Sequence, residues 1–359
     1  MSELMKTGQS RSDYSDDPVV EGLEVYLVGG AVRDHLLGRQ VMDRDWVVVG
    51  ATPEQMQSRG FTAVGADFPV FLHPHTHEEF ALARTERKTR VGHQGFEFHA
   101  SPEITLEQDL IRRDFTINAM AMDHTGQIID PYHGREALEK RLLVPVSDAF
   151  NEDPLRILRA ARFMAQMPSM RVAPDFVRRL DAMRDELSSL SAERLWQEAY
   201  KAFTGNPSRF FEALDQWGLY EHLGLAPVTV STGPFDGTPE QNLRRWLWQT
   251  AGQNGQWLNA WRAPKRWNLL DQDLSGWQTS DDIFTVLKQT GALKQTPRSE
   301  ALLDTLREND AQANADLDGA LSAARAIRAQ DMDPTLSGPD LGQALVQAQS
   351  EAFYREFCR

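Results

Sequence analysis

Val25-Tyr26-Leu27-Val28-Gly29-Gly30-Ala31-Val32-Arg33-Asp34, followed by Asp43-Arg44-Asp45-Trp46-Val47-Val48-Val49, decides the fold of this chain. Val25–Val28 is a short apolar run that ends in a glycine pair, the pattern of a buried strand entering a tight turn. Ala31 to Leu37 reads as a helix, with Gly38 as the residue that follows its end. Trp46 to Val49 is a second β-rich run. In an extended chain residues i and i+2 point to one face, so Asp43 and Asp45 project together and Arg44 turns away. Two neighbouring carboxylates repel each other unless a divalent cation lies between them, and Mg2+ binds through one or two carboxylates plus substrate phosphates. The glycine pair lets a phosphate approach the backbone, and Arg33, one helical turn in, can reach the same phosphates. The alternative is a surface turn with two solvated carboxylates; the order and spacing of glycines and aspartates together favour the metal–nucleotide platform.

Outward from this stretch, strands are expected at Phe80–Arg84, at Gly95–His99 and at Gln127–Ile129, the last after the turn Asp123-His124-Thr125-Gly126. Arg87–Gln94 is polar and reads as a mobile loop. Residues 23–145 therefore mix strands and helices in an α+β pattern. After Asp153 the character changes: Pro154–Gln166, Pro174–Leu187, Ala192–Phe203 and Pro207–Trp217 carry helical apolar spacing. The second half is expected to be all helix.

Two more motifs carry chemistry. In Arg112-Arg113-Asp114-Phe115-Thr116-Ile117-Asn118-Ala119-Met120-Ala121, two arginines stand beside an Asp and an Asn, a set able to bind phosphate and sugar. The competing reading is a helix start capped by Asp114. In Glu152-Asp153-Pro154-Leu155-Arg156-Ile157-Leu158-Arg159-Ala160-Ala161-Arg162-Phe163, Asp153-Pro154 is a helix start. Arg156, Arg159 and Arg162 then form a stripe that calls for an anion along it or for a solvated face. Asp153 and Arg156 also present acceptors and donors suited to a base edge, while Asp153 has a competing duty as N-cap.

The whole chain, 359 residues, suits two or three domains, and 41% hydrophobic with 25% charged residues permits a sizeable core. A net charge of −14 excludes a general nucleic-acid coat. Charge is unevenly placed, however: ten Lys/Arg face six Asp/Glu between Pro154 and Arg209, against 13 and 20 from Phe210 onward. That pattern fits a partner held at one place. The one cysteine, Cys358, excludes an internal disulfide and points to the cytoplasm. Residues 1–22 read as a loose, disordered tail rather than a signal. No stretch reaches the roughly 18 apolar residues of a membrane span.

Taken in this order, GGAVRD, DRD, RRDFTINAMA and EDPLRILRAARF resemble the bacterial class II tRNA nucleotidyltransferases, the CCA-adding enzymes, from Val25 to about Gly218. The bacterial poly(A) polymerases share much of this pattern, and a non-catalytic RNA-binding protein of the same fold is a third reading. The resemblance implies an α+β, polymerase-β-like nucleotidyltransferase head with a mixed or antiparallel sheet over residues 23–150. A helical neck at 151–220 and a helical, RNA-binding body and tail at 221–359 would follow. It implies that Asp43 and Asp45 hold Mg2+, and that Gly30, Arg33, Arg113, Arg159 and Arg162 bind the nucleotide. Asp153 and Arg156 would read the incoming base, so that protein acts as template. The reaction implied is attack of the 3′ hydroxyl of tRNA on the α-phosphate of CTP or ATP, with pyrophosphate leaving.

The resemblance also assigns Arg87–Gln94 to a flexible loop needed for the terminal A. Glu79, Glu86 and Asp109 are candidates for a third carboxylate. All nine histidines lie at or before His222, so an HD-type metal site is not expected after that point. His73, His75 and His77 are expected to be structural or surface residues. The segment from Arg244 to Trp267 interleaves arginines with tryptophans; it either stacks bases or packs its indoles inside with the cations outside.

Overall fold

The structure, a computed structural model, describes Tyr14 and residues 17–64, 70–88 and 96–357. In chain order the first part runs β1 (Glu24–Val28), α1 (Gly30–Leu36), β2 (Asp45–Val49), α2 (Pro53–Ser58), β3 (Thr62–Val64), β4 (Val70–Leu72), β5 (Glu79–Leu82), β6 (Arg84–Lys88), β7 (Phe96–Ala100) and α3 (Leu106–Leu110). It continues with β8 (Ala121–Met122), β9 (Ile128–Ile129), α4 (Gly134–Glu139), β10 (Leu142–Leu143), α5 (Leu155–Gln166), β11 (Arg171–Val172) and α6 (Pro174–Met183). Helices follow: α7 (Ala192–Ala202), α8 (Pro207–Gln216), α9 (Pro239–Gln249), α10 (Gly255–Ala260), α11 (Lys265–Thr279), α12 (Ile283–Thr290), α13 (Pro297–Asn309), α14 (Ala311–Ala326) and α15 (Gly338–Glu356). The fold class is α+β.

The contacts divide the chain into two compact units. One holds the described residues up to Ala160 together with Ser169–Leu190; the other holds Ala161–Pro168 and the described residues from Ser191 onward. The division falls inside α5.

In the first unit a seven-stranded sheet has the order β3-β4-β5-β2-β1-β8-β9. Only β2–β5 is parallel; the other neighbours are antiparallel. Period-two alternation along β2 sends Trp46 and Val48 into one core, with Leu27, Phe80 and Val32 of α1. Val47 enters the other core, with Val28, Ala83 and Leu106 and Leu110 of α3. Asp45, two residues before Val47, therefore belongs to the face that α3 covers. Phe115, Phe150 and Phe176 pack ring against ring, 5.3 and 5.9 Å between centroids, and tie the Arg112–Ala121 stretch to α6.

Three expectations need correction. The described part of residues 1–22 is not a loose tail: Tyr14 and Val20 are buried in the core, and Asp17 pairs with the fully buried His73 at 3.2 Å. An apolar ring and one carboxylate opposite a histidine were enough to anchor a polar stretch. Of the expected loop Arg87–Gln94, Arg87 and Lys88 belong to β6, which pairs with β7 as a ribbon; the remainder lies outside the described residues. Asp114 does not cap a helix, because Thr116–Asn118 forms a single 3-10 turn that leads into β8.

The second unit resolves the tryptophan–arginine segment. Trp246, Trp257, Trp261, Trp267 and Trp277 are buried, whereas Arg244, Arg245 and Arg262 pair with Glu308, Asp236 and Glu193 at 2.7, 3.1 and 3.1 Å. Indoles are inside and cations outside. Buried indole N–H groups need acceptors, and Asn254 supplies one: its Oδ1 accepts from Trp246 at 3.0 Å and Trp257 at 3.1 Å. Its Nδ2 donates to the Thr250 carbonyl and to Asp271 Oδ1, both at 2.8 Å. Burial pushes the Asp271 carboxyl up, opposed by the bonds from Asn254 and the Gly252 N–H. Asn254→Ala strips acceptors from two buried indoles at once and is expected to cost about 3 kcal/mol. A lower midpoint in denaturant unfolding, followed by tryptophan fluorescence, checks this; an unchanged midpoint would contradict it.

Candidate active site

Val28 ends β1, and Gly29 turns the chain with φ 72°, a conformation that side chains rarely adopt. A Cβ at Gly29 would stand 2.9 Å from Arg113 Nη1, so the glycine also clears room for that guanidinium. Gly30 opens α1, and Arg33, one turn on, is held on two sides. Its Nε and Nη2 donate to Asp34 at 3.0 and 2.9 Å, and its Nη1 donates to Asn118 Oδ1 at 2.8 Å.

Asn118 in turn donates from Nδ2 to Asp114 Oδ1 at 3.0 Å, which also accepts the Phe115 N–H at 2.7 Å. Asp114 Oδ2 accepts from Arg159 Nε at 2.7 Å. The result is a continuous chain, Arg33–Asn118–Asp114–Arg159, with buried amide and carboxylate in the middle and a cation at each end. Burial alone would raise the Asp114 carboxyl. The Arg159 charge, then the Asn118 bond and the Arg156 charge, overcome it and hold the group well below the usual carboxylate range.

Asp109 plays the same part for the arginine pair. It is fully buried, accepts from Arg112 Nε and Nη2 at 3.1 and 2.7 Å, from Arg113 Nη2 at 3.2 Å and from the Arg84 N–H at 3.3 Å. Its lone pairs are engaged by arginines and backbone, so it is an anchor and not a third metal-binding carboxylate. Arg113 Nε is buried and has no hydrogen-bond partner among the described residues. Glu79 is exposed and stands opposite Asp45 in the β2–β5 ladder; Glu86 lies in β6.

Asp43 and Asp45 are both exposed to solvent. The protein packed around Asp45 nevertheless raises its carboxyl, Arg113 opposes the rise, and Asp43 adds to it. Asp43 itself precedes β2, in a stretch without regular structure. Among the described residues no group of three or more His, Cys, Asp or Glu is placed to hold a metal ion.

The arginine stripe of α5 is neither a solvated face nor an empty groove. Arg156 is buried and donates to the carbonyls of Ala149 at 2.9 Å and Arg112 at 2.6 Å. Arg159 has Asp114. Arg162, in the second unit, donates to Glu198 at 2.5 Å and to Gln166 at 3.0 Å. The acceptors along the stripe are the protein's own, carbonyls for Arg156 and carboxylates for Arg159 and Arg162. Asp153 Oδ1 accepts the Leu155 N–H at 3.1 Å, so its capping duty is real.

Comparison with known proteins places this geometry. A family model described as the poly A polymerase head domain matches residues 25–144, and one described as a probable RNA and SrmB-binding site of polymerase A matches residues 169–227. A multifunctional CCA protein of Alkalilimnicola ehrlichii is 48% identical over 297 residues, 79% of this chain and 70% of that protein. The chain belongs to the CCA-adding tRNA nucleotidyltransferases. A CCA-adding enzyme of Coxiella burnetii is 55% identical over 63% of this chain and 62% of its own length. The crystal structure of the Bacillus stearothermophilus CCA-adding enzyme with CTP superposes with a TM-score of 0.64 at 23% identity, covering 97% of this chain and 94% of that one. That likeness extends the CCA-adding fold, sheet and helices, over nearly the whole chain. The chain spans about two thirds of the length of these two sequence relatives.

Reading motifs one at a time missed the links between them. Asp34 and Asp109 hold arginines one, three and four residues away, a spacing that the sequence displays; Asn118 and Asp114 hold Arg33 and Arg159 across 85 and 45 residues, which no local pattern signals. Gly29→Ala would force an L residue to φ 72° and displace Arg113; it is expected to cost about 1–3 kcal/mol and to raise the KM for nucleotide, read by thermal unfolding and steady-state kinetics. Asp114→Asn removes the charge that Arg159 faces, an expected loss of about 2–3 kcal/mol at neutral pH. Because the folded carboxyl titrates below the unfolded one, near 3.9, its contribution is complete above about pH 5 and disappears as pH falls further. The gap between wild type and variant in unfolding free energy should therefore close on acidification; a gap independent of pH would contradict the assignment.

Proposed function

We propose that this chain completes or repairs the 3′-terminal CCA of tRNA from CTP and ATP, without a nucleic-acid template, and releases pyrophosphate. The observation that supports the reading is the exposed pair Asp43 and Asp45 at the start of β2, together with an Arg113 that packs against Gly29 and retains an unused buried donor. Exposed carboxylate oxygens suit Mg2+, and the raised carboxyl of Asp45 is the kind of group whose charge a divalent cation would stabilise. Asp43 and Asp45 would hold that ion. When bound, Mg2+ supplies Lewis-acid charge at the reacting phosphate and 3′ oxygen.

The remaining work falls to the chain. Gly29 and Gly30 let the triphosphate approach the backbone, and Arg113, Arg33 and Arg159 orient its oxygens. A bond forms between the RNA 3′ oxygen and the α-phosphorus, and the bond to pyrophosphate breaks. We assign the reading of the base to Asp153 and Arg156, and Arg162 to the nucleotide side of α5. Arg156 is pre-oriented by the carbonyls it already holds. We assign residues 23–150, with the anchored stretch before them, to the head, 151–220 to the neck, and 221–359 to a body and tail that hold RNA. We place the protein in the cytoplasm; among the described residues no helix is long and apolar enough to cross a membrane.

Poly(A) polymerase is the competing reading, favoured by the name of the head-domain model that matches. The acidic second half weighs against it, since an enzyme that extends any RNA gains from a basic flank. The test uses purified protein, Mg2+ and tRNA transcripts lacking the 3′ end, with CTP and ATP together or apart. Addition that stops after three nucleotides, reduced ~10³-fold or more by Asp43→Ala, is expected. Long tails from ATP alone would mean a poly(A) polymerase, and tRNA binding without addition would mean a binding protein.

A further inference from the structure

Arg44 and Trp46 flank Asp45 in the sequence, and both reach a single side chain, Glu78. Trp46 Nε1–H donates to Glu78 Oε2 at 2.8 Å, and Arg44 Nη1 lies 3.6 Å from Glu78 Oε1. A third group comes from far away in the chain: the Tyr14 hydroxyl donates to the same Oε2 at 2.5 Å. The Tyr14 ring also packs edge-on against Trp46, 4.8 Å between centroids, and against Phe80 at 5.1 Å. Glu78 is itself fixed. Its N–H donates to Thr76 Oγ1 at 3.3 Å, its carbonyl accepts from the His73 N–H at 3.0 Å, and Thr76 Oγ1 meets the Tyr14 hydroxyl at 2.9 Å.

Position gives this cluster its meaning. Asp45 is the first residue of β2, and residues 39–44 before it form no regular structure. Asp45 pairs with Glu79 as the first pair of the parallel β2–β5 ladder. Ladder ends open most easily, so a carboxylate at such an end wanders unless something fastens it. Glu78 precedes Glu79 and lies on the opposite face from Asp45, with Trp46. It joins the beginning of β5 to the residues on both sides of Asp45.

We propose that Glu78 is a positioning residue for the metal platform: through Trp46 and Arg44 it fixes Asp45 at the strand end, and thereby its separation from Asp43, with Tyr14 completing the clasp. The indole and phenol donate to an ionised acceptor, the stronger class of hydrogen bond. The proposal rests on the reading that Asp43 and Asp45 hold the cation.

Mn2+ is the probe, with the signal of the unbound ion followed by electron paramagnetic resonance, alongside thermal unfolding and the kinetics of CTP incorporation. Glu78→Ala is expected to raise the Mn2+ dissociation constant about tenfold, the usual range for a group that orients a ligand. It should lower kcat and leave the KM for CTP within about twofold, because Arg33, Arg113 and Arg159 are untouched. Glu78→Gln keeps an oxygen for Trp46 and Tyr14 and should restore most of the binding. If Glu78→Ala does not fold, Tyr14→Phe and Trp46→Phe, each removing one donor, should weaken Mn2+ binding in the same direction.

Wild-type Mn2+ binding in all of these, with binding lost in Asp45→Ala, would overturn the positioning role and leave the platform standing. Unchanged binding in Asp45→Ala would overturn both. A loss in Glu78→Ala that matches its unfolded fraction, without rescue by Glu78→Gln, would reduce Glu78 to a structural residue.

Discussion

The buried carboxylate of Asp114 is the contact on which the proposed site depends. A charge with almost no exposure is tolerable only when it is paired and its lone pairs are filled, and here Arg159, Asn118 and the Phe115 N–H fill them. The consequence reaches beyond one ion pair. Asn118 can give its Nδ2 to Asp114 only by presenting its Oδ1 the other way, and that oxygen is where Arg33 docks. One carboxylate thus sets the orientation of two guanidiniums carried by different helices. Pre-oriented donors are what phosphate chemistry requires, since they avoid reorganisation when charge develops.

The sheet supplies the second constraint. Alternation along β2 places Trp46 and Val48 in one core and Val47 in the other, so Asp45 must emerge on the face that α3 covers. Helix α3 leads into Arg112 and Arg113, and Asp109 within it grips both. Carboxylate platform and arginines therefore meet because of a period of two in one element and an i, i+4 spacing in the other. A one-residue slip of β2 would send Asp45 to the opposite face and break the arrangement.

This explains what could be read from the residues and what could not. The strand that Asp45 begins was legible because its signal is local: an apolar run after a glycine turn, with two carboxylates at i, i+2 at its entry. The helices after Asp153 were legible from apolar spacing. The bonds from Arg33 to Asn118 and from Arg159 to Asp114 were not, because both close over long separations that no local pattern encodes. Asp109 looked like a spare carboxylate until the arginines beside it were seen to use its oxygens. Tyr14 shows the same limit: its neighbours in sequence are polar, and only the apolar patch formed by Trp46 and Phe80 gives its ring a place. β3 and β4 escaped notice for a different reason: three residues each are too few for a period to register.

Charge balance in the first unit completes the argument about ligand. Six guanidiniums gather around the motifs, those of Arg33, Arg44, Arg112, Arg113, Arg156 and Arg159. Seven carboxylates stand among them, those of Asp34, Asp43, Asp45, Asp109, Asp114, Glu152 and Asp153. An arginine-rich appearance thus conceals a site with no cationic surplus. Most of those guanidiniums are committed to carboxylates or carbonyls that hold them in place, which fixes geometry at the expense of net attraction. A triphosphate arriving alone would meet the repulsion of Asp43 and Asp45, with most of the guanidiniums already facing carboxylates or carbonyls of the protein. A divalent cation arriving with the triphosphate would offset the charge of the same two carboxylates. On the proposed reading, the acidity of the platform and the neutralised arginines are one design: the protein provides rigid direction, and the metal ion is left to provide the positive charge.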